Sequence, residues 1–153
     1  MSAFIKENIN RILFLILAAL LLILWGRFIA REISSNSYCR ELATTADRVS
    51  CVASFGWEAD PGSETHEKIK IPDEFDEVYN EYNKLQLLSG FDLRNFKGKT
   101  AVRYTYLVKN FPYKTDEAAY INIYVYDGKI IAGDCMTRAL DGGMLPLDRR
   151  FAP

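Results

Sequence analysis

The sequence predicts an α+β protein, in which an N-terminal transmembrane helix precedes a small α-β-α-β-β-β domain with an antiparallel sheet packed on a helix. Three observations lead to this prediction. An unbroken apolar run extends from Ile12 to Trp25, an apolar stripe at helical spacing follows Pro72, and two strand-like segments flank the turn dipeptide Asp127-Gly128. The length of 153 residues and the ordinary composition allow one such domain and exclude a disordered or collagen-like chain.

The apolar run is the expected membrane anchor. Extended to Ala30, it gives a helix about 28 Å long at about 1.5 Å per residue, against a hydrocarbon core of about 30 Å. This length requires Arg27 to place its guanidinium group at the interface, where Trp25 would also lie. The anchor is therefore predicted over residues 12–30.

A cleavable signal peptide is the alternative, because Lys6 and Arg11 precede the run as a charged n-region would. Small residues at cleavage spacing occur only at Ser35 and Ser37, well beyond the run, which favours the uncleaved anchor. Positive charges flank the run on both sides, so the orientation rests on the simpler topology, in which the domain is exported. The predicted single-pass cell-membrane protein comprises a cytoplasmic tail (1–11), the anchor (12–30), a linker (31–37), an extracytoplasmic domain (38–145) and a C-terminal tail (146–153).

Capping residues set the limits of the first helix of the domain. Thr44 or Thr45 is the expected N-cap, and Gly56 occupies the position that follows a helix end at about Phe55. A polar loop and a short strand over 67–71 come next, since isoleucines alternate there with charged residues.

The second helix is expected within residues 73–90, because acidic residues crowd its first turn and Gly90 can close it. A long strand over 101–111 follows after a basic turn. The helix is expected to pack on the sheet through an apolar stripe, which consists of Phe75, Val78, Tyr79, Tyr82 and Leu85.

The dipeptide Asp127-Gly128 is typical of a two-residue type I′ hairpin turn. Pairing Tyr126 with Lys129 and continuing without interruption gives the expected register. One face, expected to be the core, then carries the pairs Val125/Ile130, Ile123/Ala132 and Ile121/Asp134. The other face carries Tyr120/Cys135, Asn122/Gly133 and Tyr124/Ile131.

Charge and cysteine content exclude several functions. Beyond the first 35 residues the chain has 15 basic and 18 acidic side chains, which argues against nucleic-acid binding. Cys39, Cys51 and Cys135 show no metal-type or redox-type spacing, so no metal and no cofactor is expected. If Cys39 and Cys51 share one helix they lie about 18 Å apart along it, and any bridge would use Cys135. Three free thiols are favoured over one disulfide.

Candidate functional residues fall into two groups. The strand residues Tyr104, Tyr106, Tyr120, Asn122 and Tyr124 form the candidate binding surface, because tyrosine is large, amphipathic and loses little rotamer entropy in a contact. Tyrosine is also a common strand residue, so this pattern has a purely structural alternative.

Asp134 and Asp141 form a candidate acidic site, since the expected register turns Asp134 toward the core, where a carboxylate needs a partner or a raised pKa. His66 has no second ligand-type neighbour, and no nucleophile or phosphate-loop motif occurs.

Four segments of the sequence carry a resemblance to a known family: FGWEAD, IPDEFDEVYNEYNKLQ, GFDLRNFKGKTAVRYTYLVKNFP and INIYVYDGKIIAGDCMTRALDG. Between about Thr44 and Met144 the chain resembles a bacterial, mostly Firmicute, family labelled domain of unknown function 4830. The resemblance implies a short protein with an N-terminal hydrophobic segment and one small domain, and it brings no assigned activity. The resulting hypothesis is a membrane-anchored extracytoplasmic module that is not catalytic and binds an unknown envelope protein or ligand. The alternative is a cell-envelope hydrolase that uses Asp134 and Asp141.

Overall fold

The computed structural model describes residues 14–26, 39, 41–113, 117–137 and 143–152. The chain divides into two compact units, residues 1–37 and 38–153. In the first unit, residues 14–26 form helix α1. Among the described residues, no helix combines the length and the apolar character that a membrane crossing requires. Both ends of the predicted anchor, 12–13 and 27–30, lie outside the described residues.

The second unit is an α+β domain with one antiparallel sheet, as the sequence predicts. The strands follow the chain order β1-β2-β3-β4-β5, so each pairs with its neighbours in sequence. The fifth strand was not predicted. The elements are α2 (Thr45–Ser54), β1 (Thr65–Lys70), α3 (Glu77–Leu88), β2 (Thr100–Leu107), β3 (Ala119–Tyr126), β4 (Lys129–Thr137) and β5 (Met144–Pro146).

Helix α2 begins and ends where its capping residues predict. The Thr44 hydroxyl accepts a hydrogen bond from the Asp47 backbone N–H, and the Asp47 carboxylate accepts one from the Thr44 N–H, which completes a capping box. At the other end Phe55 is the C-cap, and Gly56 follows with φ +92°, a left-handed conformation that favours glycine.

Helix α3 packs on the sheet through only part of the apolar stripe expected for it. Val78 is 76% exposed, whereas the amide side chains of Asn83 and Gln86 are buried. Phe75, Tyr79 and Tyr82 of the stripe do pack against the core on this face of the sheet. The prediction failed at Val78 because apolar spacing marks a helix face only when apolar contact drives the packing, and here hydrogen bonding to the sheet and the following turn turns polar residues inward.

The β3–β4 hairpin has the predicted turn but a different register. Asp127 and Gly128 both have positive φ, as a type I′ turn requires. Ile131 is an extra residue on β4, because Val125 pairs with Ile130 while the preceding residue of β3 pairs with Ala132. This β-bulge shifts every later pair by one residue and so exchanges the two faces of β4. The pairs observed beyond it are Tyr124/Ala132, Ile123/Gly133, Asn122/Asp134, Ile121/Cys135 and Tyr120/Met136.

The sheet is covered on both faces. On the first face the core contains Val52, Trp57, Tyr106, Ile121 and Ile123, and α2 packs there. The opposite face contains the core residues Ile71, Leu93, Ala101, Tyr124 and Ala132, against which the tyrosines of α3 pack. The two helices therefore lie on opposite faces of the sheet.

The cysteine prediction was wrong. Cys39 and Cys51 form a disulfide, and Cys135 is a free thiol that is fully buried. The assumption that Cys39 and Cys51 share a helix fails because α2 starts only after Thr44, so the preceding residues fold back along it. Burial raises the pKa of the Cys135 thiol to about 12, which keeps it protonated and unreactive near neutral pH.

The segment expected to be a C-terminal tail instead belongs to the core. Leu147 is fully buried, and its carbonyl oxygen accepts a hydrogen bond of 2.6 Å from the indole N–H of Trp57. Asp148 is also buried, and its backbone N–H donates a hydrogen bond to the hydroxyl oxygen of Ser89. Residues 145–148 thus close the edge of the sheet beside β4.

Candidate functional site

The corrected register places three hydrogen-bonded side chains side by side on the α3 face of the sheet. We call them the polar row: Thr105 on β2, Asn122 on β3 and Asp134 on β4 are direct cross-strand neighbours. The Thr105 hydroxyl donates to Asn122 Oδ1 at 2.7 Å, and Asn122 Nδ2 donates to Asp134 Oδ1 at 2.8 Å. The first bond fixes the orientation of the Asn122 amide, so its N–H points at the carboxylate.

Asp134 is the most deeply placed member of this row, with 1% of its surface exposed. Its second oxygen accepts a hydrogen bond of 2.7 Å from the Tyr82 hydroxyl on α3. Burial raises the pKa of the Asp134 carboxyl above its ordinary value, and the hydrogen bonds from Tyr82 and Asn122 offset this only in part. Burial next to Asp134 also raises the pKa of Tyr82. This pair joins the helix to the sheet.

A chain of polar side chains leads from Asp134 toward the β1 edge. The Tyr124 side chain interacts with both Tyr82 and Arg103, and burial raises the pKa of its hydroxyl. Arg103 in turn forms an ion pair with Glu67 on β1. Within the part of the chain that the structure describes, Arg103 Nε is buried without a hydrogen-bond partner. The row is therefore connected to a charged pair near the surface.

Gln86 makes the second polar contact between α3 and the sheet. Its Oε1 accepts a hydrogen bond of 2.8 Å from the backbone N–H of Gly133. Gly133 belongs to β4 but lies just outside the residues that pair with β5. A Cβ at Gly133 would lie 2.8 Å from the Asn122 carbonyl oxygen and 2.8 Å from a Leu147 methyl group, so glycine is required by close approach. Gln86 Nε2 is buried, and no described residue accepts its hydrogen bond.

Beside the polar row lies a second cross-strand set, which we call the apolar row. Its four residues are paired in register across β2, β3, β4 and β5 on the same face of the sheet. Leu107 is 37% exposed and Met144 is 44% exposed, while the two central residues are partly buried. Three strand spacings make this row about 14 Å wide. The residues are Leu107, Tyr120, Met136 and Met144.

The structure brings together only part of the candidate binding surface. Tyr120, Asn122 and Tyr124 share the α3 face, where Tyr124 and Asn122 are buried and Tyr120 is partly exposed. Tyr104 and Tyr106 project from the opposite face of the sheet, because they pair with Ile123 and Ile121 of the first core. The five residues therefore do not form one surface.

The candidate acidic site is placed only in part. Asp134 does not face the α2 core, as the uninterrupted register predicted, because the bulge moves it beneath α3. Asp141 lies outside the described residues. Among the described residues no group of His, Cys, Asp and Glu has the arrangement of a metal site. His66 lies beside the Tyr104 ring, with 5.8 Å between the ring centroids.

Tyr106 belongs to a buried ion-pair cluster on the α2 face. The Arg48 guanidinium donates to both oxygens of Glu64, to the Tyr106 hydroxyl, and to the backbone carbonyls of Leu42 and Ala43. Burial alone would raise the pKa of Glu64, but the hydrogen bonds from Arg48 and Tyr106 outweigh this effect. The pKa is therefore lowered and the carboxyl stays ionised. The cluster fastens α2 to the sheet and has the character of a structural contact.

Sequence reasoning missed Gln86 and Arg48 as contacts of the sheet, because neither residue carries a motif. It expected Tyr82 to pack on the sheet as an apolar residue and missed its hydrogen bond to Asp134. The N-caps at Thr44 and Asp76 determine where each helix starts and therefore which positions face the sheet. Polar residues at those inward positions were the signal that could have indicated polar contacts with the sheet.

The comparisons with known proteins identify a family and no individual relative. No curated protein and no solved structure matches the chain. The sequence model of one family, described as domain of unknown function (DUF4830), matches residues 52–135, which run from the end of α2 to the polar row on β4. The chain belongs to the DUF4830 family.

Proposed function

We propose that this protein is a membrane-anchored, extracytoplasmic module that is not catalytic and binds an envelope protein through the apolar row. The row, Leu107, Tyr120, Met136 and Met144, is the observation that carries the binding part of the proposal. Aromatic and methionine side chains suit a contact surface, because they offer large apolar area and adapt to a partner. The exposed ends of the row, at Leu107 and Met144, leave room for contact.

The membrane part of the proposal rests on the character of α1. Residues 14–26 contain no charged side chain, and their large apolar side chains are exposed around the helix, from Phe14 at 71% to Trp25 at 64%. A helix that is apolar on all sides is stable only where apolar surroundings cover it, and a bilayer provides them. We take α1 as the centre of an anchor over residues 12–30.

The Cys39–Cys51 disulfide supports export of the domain. Disulfides form and persist in oxidising compartments and are rare where cytosolic reductants keep thiols reduced. The bond lies at the start of the domain and is almost fully covered, since Cys39 is 5% exposed and Cys51 is fully buried. A structural disulfide at this place fits an orientation with residues 1–11 in the cytoplasm.

Protease treatment of intact cells tests the location. We expect a C-terminal tag to be lost on treatment, while a short fragment containing α1 stays with the membrane. Mass spectrometry of that fragment should give the intact N-terminus. A tag that is protected until the cells are broken would contradict the export of the domain, and an N-terminus beyond residue 30 would contradict the anchor.

Site-specific photo-crosslinking tests the binding surface. A photo-reactive amino acid replaces Met144 in the apolar row or, as the control, Leu88 on α3, since the two side chains have similar exposure, 44% and 48%. A discrete crosslinked product is expected from position 144 and not from position 88. The product should disappear when Leu107→Glu is added. Equal products from both positions, or a product that Leu107→Glu leaves unchanged, would refute binding at this row.

A further inference from the structure

We propose that Asp134 acts as a pH-sensitive latch, which holds α3 on the sheet while its carboxyl is protonated and lets the helix open when the carboxyl is ionised. The proposal concerns a conformational device and does not depend on the partner of the apolar row. It follows from the position of one carboxyl group between a helix and a sheet.

The geometry makes Asp134 a contact that α3 cannot replace easily. Among the described residues, Tyr82 and Gln86 connect α3 to the sheet by hydrogen bonds: Tyr82 donates to the Asp134 carboxyl and also bonds to the Tyr124 hydroxyl, and Gln86 accepts from the Gly133 N–H. Apolar contact is supplied by Tyr79 and Tyr82 of the helix and by Phe75 just before it. Part of the apolar surface of the helix, including Val78, stays exposed. A change in the charge of the Asp134 carboxyl therefore acts directly on the contact between the helix and the sheet.

Few charges face the latch from the surrounding elements. From α3 come the phenols of Tyr79 and Tyr82, from β3 the phenol of Tyr124, and from β2 the guanidinium of Arg103, which is already paired with Glu67 of β1. β5 presents Pro146 opposite Asp134, and the neighbouring thiol on β4 projects from the other face. No described Lys, Arg or His lies within ion-pair distance of Asp134.

The direction of the switch follows from proton linkage. In the closed state burial raises the pKa of Asp134, whereas in the open state the carboxyl meets water and titrates near its ordinary value of about 3.9. Opening therefore releases a proton between these two pKa values, and the opening equilibrium rises about tenfold per pH unit across that window. Below about pH 3.9, and above the pKa of Asp134 in the closed state, the opening equilibrium does not change with pH through this carboxyl.

Hydrogen–deuterium exchange on the full-length protein in detergent micelles tests the latch. Exchange of the α3 amides is measured from pH 4 to 8 and compared, after correction for the intrinsic rate, with that of the β3 amides. The wild type should show α3 opening that increases with pH, and Asp134→Asn should abolish this increase. Glu81→Gln is the matched control, because Glu81 is an exposed carboxylate on the same helix, and it should behave as the wild type. A pH profile shared by the wild type and Asp134→Asn would overturn the proposal.

A measurement on the unaltered protein covers the case in which Asp134→Asn does not fold. Carbon-13 labelling of the aspartate side-chain carboxyl groups allows each to be titrated by NMR. One signal should titrate above the usual aspartate range, with a midpoint at the pH where α3 opening levels off. If every aspartate signal titrates within or below the usual range, the latch does not exist.

Discussion

Removing the Cys39–Cys51 disulfide should lower the free energy of unfolding of the domain by about 3 kcal/mol. The two cysteines are 12 residues apart in sequence, so the bond closes a short loop in the unfolded chain. Loop-closure entropy for this length is about 9.5 cal/mol/K, which corresponds to about 3 kcal/mol at 25 °C. Cys39→Ala and Cys51→Ala each remove the bond, and the second should cost slightly more because Cys51 lies deeper in the core.

The segment before α2 keeps other contacts when the disulfide is lost. Without it, the segment before α2 is still held by the buried side chain of Leu42 and by the hydrogen bond from the Leu42 N–H to the Gly128 carbonyl oxygen. Arg48 also retains its bonds to the carbonyls of Leu42 and Ala43. The variants should therefore fold, with this segment still docked on the hairpin turn.

Urea unfolding of the full-length protein in detergent measures the effect. Trp57 is 1% exposed and should report unfolding by its fluorescence, in a Trp25→Phe background that removes the other indole. Reductant should destabilise the wild type by about 3 kcal/mol and leave Cys39→Ala unchanged. Alkylation in urea without reductant should modify one of the three cysteines. Modification of all three, or a wild type indifferent to reductant, would refute the reasoning.

Two further substitutions probe the close contacts of the sheet. Gly133→Ala should cost about 2 kcal/mol in urea unfolding, because its Cβ meets a backbone carbonyl at 2.8 Å, whereas Gly143→Ala, with open space around it, should change stability by less than about 0.5 kcal/mol. Arg48→Leu should cost about 3 kcal/mol by leaving the Glu64 carboxylate, whose side chain is 18% exposed, without its cation, and adding Glu64→Gln should recover part of the loss. Because the pKa of Glu64 is lowered in the fold, its contribution is present above the ordinary glutamate pKa and is lost as pH falls through the lowered value, so Glu64→Gln should flatten the acid side of the stability profile. Equal costs for the two alanine variants, or no recovery in the double variant, would contradict these expectations.

The elements that the sequence predicted well are those with local chemical signals. The capping box at Thr44 and Asp47 fixes the start of α2 through two hydrogen bonds that need no distant partner. The hairpin turn at Asp127-Gly128 likewise depends on local backbone conformation. Such signals survive in a single sequence because the residues that satisfy each other are a few positions apart.

The features that escaped prediction depend on contacts between distant residues. The inward face of α3 depends on two residues of β4 that lie about fifty positions away. Asp134 accepts a hydrogen bond from Tyr82, and the Gly133 N–H donates one to Gln86. The disulfide depends on a chain reversal before α2, which no residue type announces. Hydrophobic periodicity predicts the buried face of a helix that packs by apolar contact. It gives no information on which polar residues of a helix face the sheet.

The β-bulge at Ile131 links the fold to the candidate site. Apolar residues occur on both sides of Ile131 in β4, so an uninterrupted strand would read equally well from the sequence. Without the extra residue, Asp134 would face the α2 core opposite Ile121, where it would lose the Tyr82 and Asn122 donors that it now has. An unsatisfied buried carboxyl costs several kcal/mol, so the bulge is what makes Asp134 tolerable at this position. Ile131 therefore explains both why the uninterrupted register is wrong and why Asp134 lies in the polar row, where we propose that it acts as the latch of α3.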